Sequence, residues 1–260
     1  MTINLKATVR YDGTGFAGWQ VQPDQPTVQG ALEDALSRIA GERIRIAGAS
    51  RTDAGVHALG QVFSCPWSKQ IPLDKLRKSL SSMLRPAIRI ENIEQAPPDF
   101  HARKSAVGKR YAYVINLAKH ADPFMSRYAW TVPWSPDFEL MGGMLPLLEG
   151  THDFAGFQAA GATVQSTTRT INAIRLCEGG IVAPCDARSV VHIEFHADGF
   201  LYKMVRNITG TLVDIARGVL PDTRIHDLLN SPGPYQGHTA PPRGLFLLEV
   251  MYPDCAPHAY

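Results

Sequence analysis

One carboxylate in the sequence, that of Asp53, has neighbours that leave room for a ligand. It lies in GASRTDAGVHALGQV, residues 48–62, between two short runs with the pattern of strands. Glycines and alanines surround it, and residues without large side chains let a bulky group come close to the acid. An aspartate in a T-D-A-G turn can also simply accept backbone N–H bonds. The small neighbours favour a carboxylate that meets a ligand, whereas His57 is interpreted as a hydrogen-bonding loop residue rather than a base.

Other chemistries lack their usual sequence signals. The chain has no P-loop, no H-E-x-x-H and no serine elbow, which disfavours phosphate hydrolysis, zinc catalysis and serine nucleophiles. The glycine-rich DGTGFAG, residues 12–18, follows a predicted strand and is interpreted as a turn rather than a phosphate cradle. The four cysteines are Cys65, Cys177, Cys185 and Cys255, and none of them forms a C-x-x-C pair. We therefore expect buried or incidental thiols rather than a metal site or a disulfide framework.

The composition predicts a globular protein with a basic region. Hydrophobic residues make up 45% of the 260 residues, and the net charge is only +2. Between Lys69 and Arg110, however, the sequence contains ten Lys or Arg residues and only four Asp or Glu residues. This bias favours a polyanionic partner, although a solvated helix face would also explain it. No leader pattern and no apolar run of about 20 residues is present, so we expect a cytoplasmic protein without membrane attachment.

Regular elements should hold Asp53 on both sides. Residues 4–11 alternate as a strand, and a helix should begin after Thr27 and end at Gly41. RIRIAGA (43–49) and GQVFSC (60–65) are predicted strands that flank the Asp53 turn. A basic helix near residues 72–85 and a strand over 87–96 follow.

The second half also combines several predicted strands with a strong amphipathic helix. Its predicted strands are KRYAYVINL, RTINAIRLC, SVVHIEFHA and GLFLLEVMY, and its strongest helix runs from about Phe200 to Arg217, with Gly218 as its stop. Strands outnumber helices and several connect as hairpins, which predicts an α+β fold with a mostly antiparallel sheet. We place the division between an N-terminal half, 1–105, and a C-terminal half, 106–260.

The octet RTDAGVHA resembles the signature of the tRNA pseudouridine synthase A family, and five further blocks resemble that family in the same order. They are YDGTGFAGWQVQPDQPTVQGALEDAL, DFHARKSAVGKRYAYVI, GTHDFAGF, DGFLYKMVRNITG and APPRGLFLLEVMYP. The resemblance covers nearly the whole chain. It implies the pseudouridine synthase fold, with two similar α/β halves that share a mostly antiparallel sheet and have an active-site cleft between them.

The resemblance also implies an activity. Such enzymes isomerise uridine to pseudouridine in tRNA, here just 3′ of the anticodon, without cofactor or metal. Asp53 would be the nucleophile or its equivalent, and attack at C1′, attack at C6 and removal of a ribose proton all stay open. Arg206 would keep Asp53 ionised in a dry pocket, although the helical pattern also allows an ordinary solvent-facing arginine. Tyr111 would stack on the uracil or help to move the C5 proton, and core packing is its alternative.

Contacts with RNA complete the expected site. Because a stacked uridine must leave the helix to react, Arg51 would fill the vacated space, or else form a plain loop salt bridge. Further contacts with tRNA are expected from His101, Arg103, Lys104, Lys109, Arg110 and Lys119. The family implies a homodimer. Two other functions stay open: a non-catalytic RNA-binding homologue of the same fold, and a small-molecule glycosidase, for which no second carboxylate is evident.

Overall fold

The computed structural model describes residues 2–161, 164–182 and 189–253, and these residues form two compact units. The first unit contains the described residues up to Val107 together with those from Phe246 onwards, and the second is Gly108–Leu245. This division lies close to the predicted one at residue 105. It differs from the prediction in giving the last strand to the first unit. Cys185 and Cys255 lie outside the described residues.

The first unit is a sheet with two helices. Its strands are β1 (Ile3–Tyr11), β2 (Ala47–Gly48), β3 (His57–Trp67), β4 (Ile88–Ala96) and β10 (Leu245–Met251), which enters this unit at Phe246, and its helices are α1 (Val28–Ala40) and α2 (Leu73–Leu84). Strand β1 runs antiparallel to both β3 and β4, and β2 runs antiparallel to β3. Strand β10 pairs in parallel with β3, Phe246 opposite His57, and this pairing is the reason why the last strand belongs here.

Helix α1 confirms the prediction made from its end residues. The Thr27 side chain accepts a hydrogen bond from Gly30 N at 3.2 Å, and Gly41 ends the helix with a left-handed φ of 66°. Leu32 and Leu36 are fully buried on the face predicted to be apolar. Local capping and periodicity were sufficient here because both ends follow standard capping rules.

The predicted strand over residues 43–49 was wrong for most of its length. Only Ala47–Gly48 pair as a strand. Before them, Ile46 N donates to the Glu33 carboxylate of α1 at 3.1 Å, and Arg45 also binds that carboxylate. A buried helix side chain therefore satisfies the backbone N–H that a strand neighbour would otherwise take.

The second unit contains the remaining elements. Its strands are β5 (Gly108–Asn116), β6 (Trp130–Thr131), β7 (Gly150–Asp153), β8 (Thr168–Glu178) and β9 (Val190–Ala197), and its helices are α3 (Phe138–Met144), α4 (Met204–Ala216) and α5 (Arg224–Leu229). Strands β5, β9, β8 and β7 are antiparallel neighbours in that order. The predicted strands at β5, β8 and β9 are confirmed, as is the α+β class with mostly antiparallel pairing.

Helix α4 begins later than predicted and is more deeply buried. It starts at Met204 rather than Phe200, because Lys203 takes a left-handed conformation with φ 58° immediately before it. Every residue of the helix except Asp214 is buried. A helix enclosed on all sides has no solvent face on which polar side chains would be expected to lie. Among the described residues, no helix is long and apolar enough to cross a membrane.

Candidate active site

The Asp53 loop, residues 50–56, joins β2 to β3 and is tied to the first unit by its backbone. Trp19 N donates to Thr52 O at 3.0 Å. The Thr52 hydroxyl lies 2.8 Å from the Tyr11 hydroxyl, and this hydrogen bond is buried. Thr52, the residue just before Asp53, is therefore bonded through its side chain to β1 and through its carbonyl to the segment that follows β1.

Hydrogen bonds on either side of Asp53 fix the rest of the loop. The Gln61 side chain donates to Ser50 O at 2.7 Å and accepts from Ser50 N at 3.1 Å. Val56 N donates to Asp53 O at 3.1 Å and closes a turn. Asp53 itself is half-buried. Its carboxylate thus stands on a short loop whose main chain is bonded before, at and after the acid.

The glycines near Asp53 leave room for the protein's own chain. A Cβ at Gly48 would overlap the indole of Trp19, and one at Gly60 would overlap Leu248 O. Gly18 has φ 101°, and a Cβ there would lie 2.6 Å from Thr52 O. The interpretation of Gly48 and Gly60 as space for a ligand was therefore wrong, because an indole and a carbonyl occupy that space.

His57 supports the start of β3, directly after the Asp53 loop. Its ring is 1% exposed and stacks on Phe246 with the centroids 4.6 Å apart. Its Nδ1 accepts from Gly13 N at 3.1 Å. Asp12 Oδ1 lies 3.3 Å from the same nitrogen. His57 Nδ1 could donate a hydrogen bond to this carboxylate only if it carried a proton, and it would then no longer accept from Gly13 N. These contacts are those of a hydrogen-bonding residue, as the sequence interpretation had it.

Tyr111 lies on β5 with its ring almost buried. It is 6% exposed and meets Phe200 edge-on with the centroids 5.0 Å apart. Two residues on, the Tyr113 hydroxyl donates to Pro241 O at 2.7 Å. Burial raises the pKa of Tyr113 far above its ordinary value, and the positive charges of Arg206 and Arg243 offset this only in part. The Tyr113 hydroxyl therefore remains a neutral hydrogen-bond donor.

Arg206 is buried in the first turn of α4 rather than facing solvent. It is 9% exposed, and its Nε donates to Ala240 O at 2.8 Å. Its own carbonyl accepts from Ala240 N at 3.1 Å. The solvent-facing alternative was wrong, because a segment 34 residues further along the chain covers the side chain. The role of Ala240 was missed by sequence reasoning, although it is the first residue of the block APPRGLFLLEVMYP.

The candidate RNA-binding residues of the first unit lie mostly in solvent. Arg51, Arg103 and Lys104 are exposed. His101 Nδ1 accepts from Arg103 N at 3.1 Å and from Lys104 N at 3.4 Å, which folds this short turn around the ring. His101 thus organises the turn, and the two cationic side chains after it are directed outward.

The basic residues of the second unit differ from one another in exposure and in ion pairing. Arg110 pairs with Glu194 at 3.0 Å, and both side chains are about a quarter exposed. Lys109 is partly buried beside it, whereas Lys119 is exposed. The acid beside Arg110 reduces the charge that this arginine would offer to a phosphate. Across the described ranges, no three His, Cys, Asp or Glu side chains are grouped as metal ligands would be.

Comparison with known proteins identifies the family. Residues 7–103 and 144–253 match the family described as tRNA pseudouridine synthase. The tRNA pseudouridine synthase A of Latilactobacillus sakei subsp. sakei (strain 23K) is 40% identical over 257 residues, which cover 97% of this chain and 100% of that protein. The protein of the same name from Thermoanaerobacter sp. (strain X514) is 38% identical, and the match covers 96% of this chain and 99% of that protein. The one from Streptococcus mutans serotype c (strain ATCC 700610 / UA159) is 39% identical, and the match covers 97% of this chain and 100% of that protein. The resemblance drawn from the six sequence blocks is thereby confirmed, and the chain belongs to the tRNA pseudouridine synthase family.

Proposed function

We propose that the chain isomerises uridine to pseudouridine in tRNA, at uridines just 3′ of the anticodon. The observation that carries this proposal is the near-complete match with relatives named tRNA pseudouridine synthase A, which includes the Asp53 loop and the whole of α4. The reaction breaks the N1–C1′ bond, forms a C5–C1′ bond, and moves one proton from C5 to N1. Atoms and electrons balance without an oxidant or reductant, so the proposed chemistry requires no redox cofactor.

Asp53 is the reacting carboxylate in this proposal. An ionised aspartate can trap C1′, add to C6 or take a ribose proton, and each route needs the charged form. The hydrogen bonds at Ser50, Thr52 and Val56 support this role, because they fix the main chain on both sides of the acid. A carboxylate that is already oriented avoids much of the entropy cost of reaching its target.

Tyr111 and Arg206 are the proposed partners of Asp53. The Tyr111 ring, packed edge-on against Phe200, would stack on the uracil or carry the C5 proton. Arg206 would keep the carboxylate ionised, since a cation opposes the rise in pKa that desolvation causes. Its guanidinium is oriented by Ala240 O, which supports a positional role.

The substrate is proposed to reach the site over basic residues. Arg103 and Lys104 are exposed on the turn organised by His101, and Lys119 is exposed in the second unit. Lys109 and Arg110 would add to this path, with Arg110 partly neutralised by Glu194. Arg51 would occupy the space left by the flipped uridine. A homodimer and a cytoplasmic location are parts of the same proposal.

The test is Asp53→Asn, with Asp34→Asn as its control. Asn matches Asp in size but is neutral, and Asp34 is an exposed aspartate on α1. Tritium released from C5-labelled uridine in an anticodon stem-loop measures the reaction. We expect the Asp53 variant to fall below about a hundredth of the wild-type rate, with unchanged melting and tRNA binding. The Asp34 variant should match the wild type.

Other results would point to other functions. Wild-type protein that binds tRNA and releases no tritium would support a non-catalytic RNA-binding homologue. Free uracil as the product would show hydrolysis of the glycosidic bond. An Asp53→Asn variant with more than about a hundredth of the wild-type rate would remove the carboxylate from its proposed role, because the loss of a covalent catalyst usually costs far more than tenfold.

A further inference from the structure

A short segment of the second unit, residues 238–241, packs directly on the first half of α4, and we call it the α4 strap. A Cβ at Gly210 of the helix would overlap His238 O of the strap, so the two backbones are in contact there. Ala240 N donates to Arg206 O at 3.1 Å. The strap therefore lies at a fixed distance from the helix, set by a glycine and by a hydrogen bond between main chains.

The carbonyls of the α4 strap orient two side chains. Ala240 O accepts from Arg206 Nε at 2.8 Å, and the next carbonyl, Pro241 O, accepts from the Tyr113 hydroxyl at 2.7 Å. The guanidinium is planar, so a bond at Nε fixes the directions of the N–H groups on both Nη atoms. Any displacement of Ala240 O would turn the charged end of Arg206.

A second pair of residues locks the strap beside this contact. Thr239 Oγ1 donates to Asn207 Oδ1 at 2.7 Å. Thr239 precedes Ala240 in the strap, and Asn207 follows Arg206 in the helix, so the two contacts are adjacent. Asn207 is fully buried, and its Nδ2 donates to Phe157 O at 2.8 Å. The Asn207 amide is thus held at both ends and serves as a rigid anchor for Thr239.

We propose that Thr239 and Asn207 are positioning residues for Arg206, acting through the carbonyl of Ala240. This inference rests on the proposed function, because it assigns the strap a role in orienting the catalytic cation. The Thr239–Asn207 hydrogen bond keeps Ala240 O in place, and Ala240 O keeps the guanidinium aimed. Removal of the Thr239 hydroxyl should slow the chemical step and leave tRNA affinity unchanged.

The first experiment compares Thr239→Val with Thr239→Ser. Valine keeps the shape and lacks the hydroxyl, whereas serine keeps the hydroxyl. Thr209→Val is the control, because the Thr209 hydroxyl also donates a hydrogen bond, to the Val205 carbonyl within α4, and Thr209 is fully buried whereas Thr239 is half-buried. We expect the single-turnover rate at saturating tRNA to fall about 10- to 100-fold in Thr239→Val, with recovery in Thr239→Ser and the wild-type rate in Thr209→Val.

The second experiment asks whether the effect passes through Arg206. Arg206→Lys keeps a charge but has no Nε to bind Ala240 O, so it already lacks the hydrogen bond that the strap controls. Adding Thr239→Val to Arg206→Lys should then slow the reaction by less than about 3-fold, far less than in the wild-type background. A merely structural role for Thr239 would give the same factor in both backgrounds.

Several results would overturn the inference. These are a Thr239→Val variant with the wild-type rate, a Thr239→Ser variant as slow as Thr239→Val, a fall in tRNA affinity in place of rate, or equal factors in the two Arg206 backgrounds. Melting temperatures of all variants identify any that fail to fold, and the serine variant tests the inference independently of that failure. Wild-type protein that forms no pseudouridine would instead refute the proposed function, and the inference with it.

Discussion

Substitution of Gly18 by alanine should disturb the Asp53 loop from outside it. Gly18 has φ 101°, a conformation that residues with a Cβ rarely adopt. The added Cβ would lie 2.6 Å from Thr52 O and 3.1 Å from the carbonyl carbon of Asp53. Because these neighbours are main-chain atoms, the methyl group can be accommodated only if the loop moves.

The size of the effect follows from three contributions. The positive φ costs about 2 kcal/mol for a residue other than glycine. A shift of Thr52 O weakens its hydrogen bond from Trp19 N, which contributes about 1 kcal/mol. The lower entropy of the unfolded alanine chain offsets about 0.5–1 kcal/mol. We therefore expect Gly18→Ala to lower the free energy of unfolding by about 2–2.5 kcal/mol.

Gly15→Ala is the control for this prediction. Gly15 lies in the same loop, and a Cβ there would have no atom within 4 Å. Urea unfolding should show a change of less than about 0.5 kcal/mol for Gly15→Ala. Single-turnover assays should show a rate reduction of about 100-fold for Gly18→Ala, since a displacement of about 1 Å at a reacting group has this effect. Equal stabilities and equal rates in the two variants would refute the reasoning.

Three further predictions concern a cap, a thiol and the RNA path. Thr27→Ala should lower the free energy of unfolding by about 1 kcal/mol in urea titrations, with most of it retained in Thr27→Ser, because serine keeps the capping oxygen. Burial raises the pKa of Cys65 from 9.0 to about 12, so its neutral thiol stabilises the fold below pH 9 and this stability declines as pH rises towards 12. Between pH 9 and 10 the wild type should therefore lose about 1 kcal/mol more stability than Cys65→Ala in urea unfolding, and equal losses would contradict burial of the thiol as the cause. Replacing Arg103 and Lys104 by alanine should make the slope of log K for tRNA binding against log salt concentration less steep, by about 0.7–0.9 for each phosphate that is no longer neutralised. An unchanged slope would place the RNA elsewhere.

Elements defined by local signals could be predicted from the sequence. Helix α1 begins after Thr27 and ends at Gly41 as its capping residues indicate, and β9 follows its alternating pattern. The Asp53 loop was located correctly between two strands, because a strand boundary depends on residues near it in the chain. In all three cases the sequence signals themselves lie within a few residues of one another.

Features that depend on distant residues could not be predicted in the same way. The apolar residues Phe200 and Leu201 suggested an earlier start for α4, yet the left-handed Lys203 makes the helix begin only at Met204. The solvent-facing alternative for Arg206 came from the helical pattern alone, which carries no signal of the hydrogen bond to Ala240, 34 residues away. The glycine at position 48 indicated a close approach, but sequence spacing does not say that the indole of Trp19 makes it.

The parallel pairing of β10 with β3 has a consequence for synthesis on the ribosome. Most of the first unit emerges early, but its last strand, Leu245–Met251, is translated only after the whole of the second unit. Until then the edge of β3 lacks this neighbour, and the His57 ring lacks Phe246 against its face. The second unit, being continuous, can complete its contacts first. A nascent chain therefore carries Asp53 without the finished support of its loop until Leu245–Met251 has been synthesised.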